Sequence, residues 1–242
     1  MFRRRGPIDV RTLAEEHLDA GRPTGWFEPL YAQAFGDRTA IPWAQDSADP
    51  AVLDWLEAPV ATPPGDRAVV VGCGLGDDAA ALARLGWTVT AFDVSPSAVR
   101  WARRRHPKVA VDWQVADVLD LPASLLGRFD LVVEVRTVPS LPGVVRDHAM
   151  DAIGRLAAER GLVLVVTLLA MDAEVARRWV GPPWPQAPSE LAVYRGSGLT
   201  RLALEHAPAG DDGAVTARVT WQRPAGAPAT DTPAPGPGLP IV

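Results

Sequence analysis

A single cysteine, Cys73, in 242 residues leaves the chain no partner for an internal disulfide and no thiolate set for a structural zinc site. A reducing, cytoplasmic setting is the expectation that follows. Long apolar runs are also missing, since the longest, 162–170, falls far short of the roughly 20 residues that a transmembrane helix needs. It reads instead as a central buried strand. No apolar stretch follows Arg3 to Arg5, so neither a secretory signal peptide nor a membrane partner is expected. Positive charge is not in excess either. With 24 Lys and Arg against 29 Asp and Glu, the formal charge is −5 and the pI about 5.4, which disfavours nucleic acid as a partner. The local run Arg103 to Arg105 is expected to close a helix before Pro107, where cations suit the C-terminal dipole.

What the chain does have is enough length for one substantial core with appendages, and an excess of alanine and proline that resembles GC-rich bacterial coding. The rest is organised around Val69-Val70-Val71-Gly72-Cys73-Gly74-Leu75-Gly76-Asp77-Asp78. The β-branched run predicts a strand covered on both faces, the glycines a turn open to close ligand approach, and the alanines from Ala79 onward a helix. This is the start of a nucleotide-binding βαβ unit. A dinucleotide fold spaces its glycines as Gly-x-Gly-x-x-Gly to seat a pyrophosphate on the helix N-terminus. Here the third glycine comes one residue early, and Asp77 and Asp78 would repel a pyrophosphate. A ligand carrying an ammonium and a sulfonium would not be repelled, and S-adenosylmethionine fits that description.

Before this unit, residues 1–58 predict helices over 8–20, 27–35 and 50–58, with Trp26, Phe27, Tyr31, Phe35 and Trp43 too aromatic for a linker. They read as a helical cap or lid, and Trp43 as either a packing residue or a wall of a substrate pocket. After it, strands are expected over 86–93, 109–115, 129–135 and 162–169, and a final hairpin over 199–206 and 214–222 about the turn Asp211-Asp212-Gly213. Helices are expected over 96–105 and 144–160, an irregular passage over 171–188 centred on Gly181-Pro182-Pro183-Trp184-Pro185, and a disordered tail over 223–242. Asp93, 17 residues after Gly76 at a strand's end, is positioned to accept from both hydroxyls of a ribose. Asp117 with Val118 is expected to read the adenine edge, Asp120 being the competitor. Glu134, Val135, Arg136 and Thr137 end the fourth strand at the crevice of an open α/β sheet. Arg146-Asp147-His148 reads as a solvated helix flank.

Taken together, Val-Gly-Cys-Gly-Leu-Gly at 71–76, Asp93, Asp117-Val118, Phe129-Asp130-Leu131-Val132-Val133 and the terminal hairpin resemble the class I S-adenosylmethionine-dependent methyltransferases over residues 59–222. Trp-Phe-Glu-x-Leu-Tyr at 26–31, Pro42-Trp43 and Pro-Pro-Trp-Pro at 182–185 are similar to the small-molecule branch of thiopurine and tellurite-resistance methyltransferases. The resemblance implies a Rossmann-like α/β fold, a seven-stranded, mostly parallel sheet with an antiparallel C-terminal hairpin, helices on both faces and the N-terminal cap. It also implies cofactor contacts from Gly72, Cys73, Gly74, Gly76 and Asp78, from Asp93 and Val94, from Asp117 and Val118, and from Glu134 and Val135. Many relatives carry an acid two residues before the first glycine, where this chain has Val70, so the methionine amino group would depend on main-chain carbonyls and Asp77 or Asp78. Methyl transfer to a small molecule, such as a thiol or other soft nucleophile, needs no metal, and no residue stands out as a base. Trp43, Arg136 and Trp184, with Trp179, are expected to build the acceptor site. Arg136 alternatively pairs with an acid such as Glu134 or grips the cofactor carboxylate. A monomer or homodimer is expected.

Overall fold

The computed structural model describes residues 8–34, 36–206 and 213–226. Seven strands, β1 (Arg67–Val71), β2 (Thr88–Asp93), β3 (Val111–Val115), β4 (Phe129–Val135), β5 (Ala157–Ala170), β6 (Thr200–His206) and β7 (Ala214–Gln222), form one sheet in the order β3-β2-β1-β4-β5-β7-β6. Pairing is parallel from β3 through β5, and β7 runs antiparallel to both its neighbours. Strand order reverses between β1 and β4, the point at which open α/β sheets leave a crevice beyond their carboxyl ends.

Eight α-helices complete the described chain: α1 (Val10–Asp19), α2 (Phe27–Ala34), α3 (Pro50–Glu57), α4 (Asp77–Arg84), α5 (Pro96–Arg105), α6 (Gly143–Leu156), α7 (Ala173–Arg178) and α8 (Ala192–Gly196). Strand alternation feeds two layers. Val69 and Val71 join the core under α6 and α8, while Ala68 and Val70 join the one under α3, α4 and α5. A third cluster binds α1 and α2 to the main body through Trp26, Leu30 and Tyr31 against Leu75 and Ala98. Charged and hydroxyl groups bolt the same contact. Glu28 accepts from Ser95 Oγ at 2.6 Å, Ser97 N–H at 2.9 Å and Ser97 Oγ at 2.7 Å at the start of α5. Burial raises the Glu28 carboxyl, but these bonds and Arg100 outweigh it and hold the group below its ordinary value. α3 packs on the sheet, where Trp55 is fully buried and donates to Thr220 Oγ1 at 3.0 Å.

Three sequence expectations are corrected. The helix expected to run to residue 160 stops at Leu156, because Gly127 and Arg128 N–H groups take the carbonyls of Arg155 and Leu156 at 2.8 and 3.1 Å and Ala157 pairs with Phe129 in β5. The passage over 171–188 is not wholly irregular, since Asp172 caps α7 by accepting from Glu174 N–H at 2.6 Å. Arg223, assigned to the tail, is buried and donates to the carbonyls of Ala157 and Gly154 at 3.0 and 2.7 Å. Residues 227–242 of the tail, Arg3 to Arg5, Phe35, and Asp211 with Asp212 of the hairpin turn lie outside the described residues. Among the described residues, no helix is long and apolar enough to cross a membrane.

Candidate functional site

The ends of β1, β2, β3 and β4 open into a cleft of about 1140 Å³, its mouth included. One wall is the turn after β1. Gly72 has φ +58, and a Cβ there would stand 2.4 Å from Thr137 Oγ1. Gly74 has φ +51, and a Cβ would stand 2.9 Å from the Tyr31 hydroxyl. Only glycine satisfies both the backbone and the space. Gly76 and Cys73 also line the cleft, and burial pushes the Cys73 thiol well up, which keeps it protonated.

Among the described residues of the lining are five aspartates, Asp49, Asp77, Asp78, Asp93 and Asp117, and one arginine, Arg136. Asp93 accepts from Gly74 N–H and from Ser95 N–H, each at 2.9 Å and each on a different oxygen. Burial pushes it up to about 6 against the pull of those two bonds, with Glu28 and Asp117 adding to the rise. Asp117 accepts from Leu119 N–H at 2.9 Å and from Thr24 Oγ1 at 2.7 Å. Asp78 accepts from Asp49 N–H at 2.8 Å and is likewise pushed up to about 6 by burial. Asp77 is taken by Arg105 Nη2 at 2.7 Å. Val94, Val118 and Val135, at the strand ends, line the same cleft.

Arg136 follows β4 in a left-handed backbone conformation, φ 52, a state costing about 1–3 kcal/mol in a non-glycine residue. Its N–H donates to Val166 O at 2.8 Å and its carbonyl accepts from Ser140 Oγ at 2.9 Å. The guanidinium donates through Nη1 to Asp49 Oδ2 at 2.6 Å, so its ion-pair partner is Asp49 at the start of α3 and not Glu134.

Three expected site residues, Glu134, Trp184 and Trp179, are not among those lining the cleft. Glu134 falls on the α6 side of β4 by strand alternation, fully buried, where Oε1 accepts from the N–H groups of Thr137 and Val138. Burial pushes it up to about 7. Trp184 is held outside by its own backbone, which donates to Pro139 O at 2.7 Å and accepts from Arg146 Nη2 at 2.8 Å. Pro183 reaches the wall in its place. Trp179 does not line the cleft either; its indole N–H donates to Pro183 O at 2.7 Å. Arg146 is therefore no solvated flank but a buried clamp on this passage, also reaching Glu190 at 3.3 Å.

Trp43 does line the cleft, donating from Nε1 to the Tyr31 hydroxyl at 3.0 Å, with Phe27 edge-on to its ring at 6.4 Å between centroids. Tyr31, Thr24 and Asp49 are lining residues that the sequence reading passed over. The signal at Asp49 was an acid before Pro50, legible as a helix cap and nothing more. Thr24 and Tyr31 had no signal beyond the aromatic density of their segment.

The sequence profile described as thiopurine S-methyltransferase (TPMT) matches residues 31–209. A ubiquinone biosynthesis O-methyltransferase of Xanthomonas campestris pv. campestris (strain B100) is 36% identical over 135 residues, covering 55% of each chain. This chain thus spans about half the length of the curated relatives it matches. A solved structure from work on the conversion of a disulfide bond into a thioacetal group during echinomycin biosynthesis superimposes with a TM-score of 0.67 at 22% identity, over 86% of this chain and 94% of that one. The N-methyltransferase NodS from Bradyrhizobium japonicum WM9, in complex with S-adenosyl-L-homocysteine, gives 0.63 at 20% identity, over 81% and 99%. At these identities the two structures speak for the fold alone.

Proposed function

The chain belongs to the thiopurine S-methyltransferase family of class I S-adenosylmethionine-dependent methyltransferases, and on that premise we propose that it transfers the methyl group of S-adenosylmethionine to a small-molecule acceptor. The observation that carries this reading is the lining itself: five aspartates around a bare glycine turn, of which two are ion-paired, Asp49 with Arg136 and Asp77 with Arg105. A cleft of that sign favours a sulfonium and an ammonium and opposes a pyrophosphate. When bound, the cofactor supplies a methyl group activated for in-line displacement. The residues' part is to hold the two reactants and keep water out.

Asp93 keeps one acceptor site open on each oxygen after its two backbone bonds, enough for both hydroxyls of a ribose. Asp117 likewise keeps capacity for an adenine amine, with Val118 N–H beside it. Val94, Gly72, Cys73, Gly74, Gly76 and Val135 supply close walls. Trp43, with Phe27, Tyr31 and Pro183, forms the apolar side on which the acceptor would rest.

Neither a histidine nor a lysine is among the described lining residues, and Tyr31 is pushed well up by burial, which makes it no base. An acceptor that sheds its proton to water, a thiol or an acidic phenol, suits such a site. Incubation with methyl-labelled S-adenosylmethionine and matched aromatic thiol and phenol acceptors tests the reading, with label expected in an acceptor and lost in Asp93→Ala. Tight S-adenosylhomocysteine binding without label transfer to any small acceptor would instead favour a cofactor-holding module.

A further inference from the structure

We infer that Arg146, which does not itself line the cleft, is the positioning residue of the acceptor half: its buried guanidinium fixes Leu141 against Pro183 and so sets the wall that orients the acceptor. The inference rests on the acceptor half assigned above. Both wall residues come from irregular chain. Leu141 follows the short 3-10 turn Val138–Ser140, and Pro183 lies in the passage between α7 and α8.

Each nitrogen of the fork reaches a different segment. From the first turn of α6, Arg146 donates through Nε to Leu141 O at 2.9 Å, through Nη2 to Trp184 O at 2.8 Å and through Nη1 to Glu190 Oε2 at 3.3 Å. Leu141 lines the cleft, and so does Pro183, the residue before Trp184. Trp184 N–H closes the ring by donating to Pro139 O at 2.7 Å. Glu190 is held in turn, since its other oxygen accepts from Ala187 N–H at 2.7 Å.

Arg146 is only 5% exposed. Packing alone does not call for a charge there, because an apolar side chain of similar volume often fills such a place at no loss of stability. What it would not do is hold two carbonyls and a carboxylate in one plane, as a rigid guanidinium does. Arg223 supplies the internal comparison. It is as deeply buried and bonds the carbonyls of Ala157 and Gly154, but at the other end of α6, and neither residue lines the cleft.

The turn carried by this ring also has a second, separate anchor. At its near end Thr137 Oγ1 donates to Val71 O at 3.1 Å, and the N–H groups of Thr137 and Val138 donate to Glu134 Oε1. Losing Arg146 therefore frees the Leu141 end and leaves the Thr137 end, beside Gly72, in place.

Arg146→Met and Arg223→Met, compared by two readouts, test the inference. With thiophenol as acceptor, or phenol where only the phenol is methylated, Arg146→Met is expected to raise acceptor KM about fivefold or more, with kcat falling less. Its S-adenosylhomocysteine affinity should stay within about twofold of wild type, and Arg223→Met should leave acceptor KM within about twofold while lowering the melting temperature. In amide hydrogen exchange, the Leu141 and Trp184 amides should exchange about tenfold faster in Arg146→Met alone, with Gly74 unchanged in both variants. An acceptor KM that does not move in Arg146→Met, or rises equally in both variants, would overturn the inference. If Arg146→Met does not fold, Arg146→Lys, a single ammonium in place of the fork, takes its place under the same criteria. Wild-type protein that binds S-adenosylhomocysteine yet methylates neither probe would count against the acceptor reading, and exchange then decides on Arg146 by itself: unchanged Leu141 and Trp184 amides would overturn its positioning role.

Discussion

On the glycine-turn side of the cleft the wall is largely main chain. Gly72 and Gly74 sit where a Cβ would collide with Thr137 and Tyr31, and the Gly74 N–H orients Asp93. On the other side the wall is side chain, assembled from Phe27 and Tyr31 of α2 with Trp43, Leu141 and Pro183, which come from four separate segments of the fold. The first side depends on a dozen consecutive residues and one strand pairing. The second depends on how the N-terminal helices and the 171–188 passage dock. A site built this way keeps its cofactor half constant while its acceptor half is free to vary, and the two halves should fail differently when mutated.

The largest effect is expected where the N-terminal segment enters the core. Trp55→Ala removes a fully buried indole and its bond to Thr220, and should cost about 3–5 kcal/mol in urea unfolding. A loss below about 1 kcal/mol would mean that α3 is a detachable part of the cap after all. Next comes the contrast inside the cofactor half. Asp93→Ala should weaken S-adenosylhomocysteine binding by more than tenfold, because two charge-assisted bonds of about 1.5–3 kcal/mol each are at stake before water compensates. Asp117→Ala should cost less, having one bond to give. The reverse order would exchange their roles.

Acid should separate binding from stability. Asp78 and Asp93 are pushed up to about 6, and Glu134 to about 7, by burial. A carboxyl whose folded value lies above its unfolded one contributes stability that is fully present below the unfolded value, near 3.8 for Asp and 4.5 for Glu, and lost as pH rises through the folded one. The ligand-free protein should therefore melt higher at about pH 5.5 than at about pH 7.5. Donor affinity should move the other way, falling by up to about tenfold per pH unit for each of Asp78 and Asp93 once they protonate. Parallel pH trends in melting and in affinity would contradict the assignment of these two groups to the ligand. The smallest effect is expected on the side-chain wall. Trp43→Ala should raise the acceptor KM several-fold, whereas Trp184→Ala, outside the cleft, should leave KM unchanged and lower only the melting temperature.

The same division explains what the sequence disclosed. Strands β4 and β7 and helix α5 match their expected ends, because each is bounded by local chemistry: Ser95 and Pro96 open α5, and β-branched runs mark the strands. That Gly72, Asp93 and Asp117 stand at strand ends and line the cleft was readable for the same reason, the period of each strand being plain. Glu134 was misplaced because adjacency to the crevice was taken for access to it, and the alternation of β4 turns it to the other face. Arg146, Trp184 and the end of α6 were misread because their surroundings come from residues tens of positions away: Trp184 and Glu190, Pro139, and Gly127 with Arg128. No local pattern carries such contacts. Asp49 shows the intermediate case, its capping role legible and its partner Arg136, 87 residues on, not.

Titration calorimetry of the wild-type protein with S-adenosylmethionine, S-adenosylhomocysteine and NAD tests the central claim most directly. Saturable one-to-one binding of both adenosyl ligands and no heat with NAD is the expected result. Binding of NAD with neither adenosyl ligand bound would contradict a cleft whose aspartates exclude a pyrophosphate, and the methyltransferase account would fall with it.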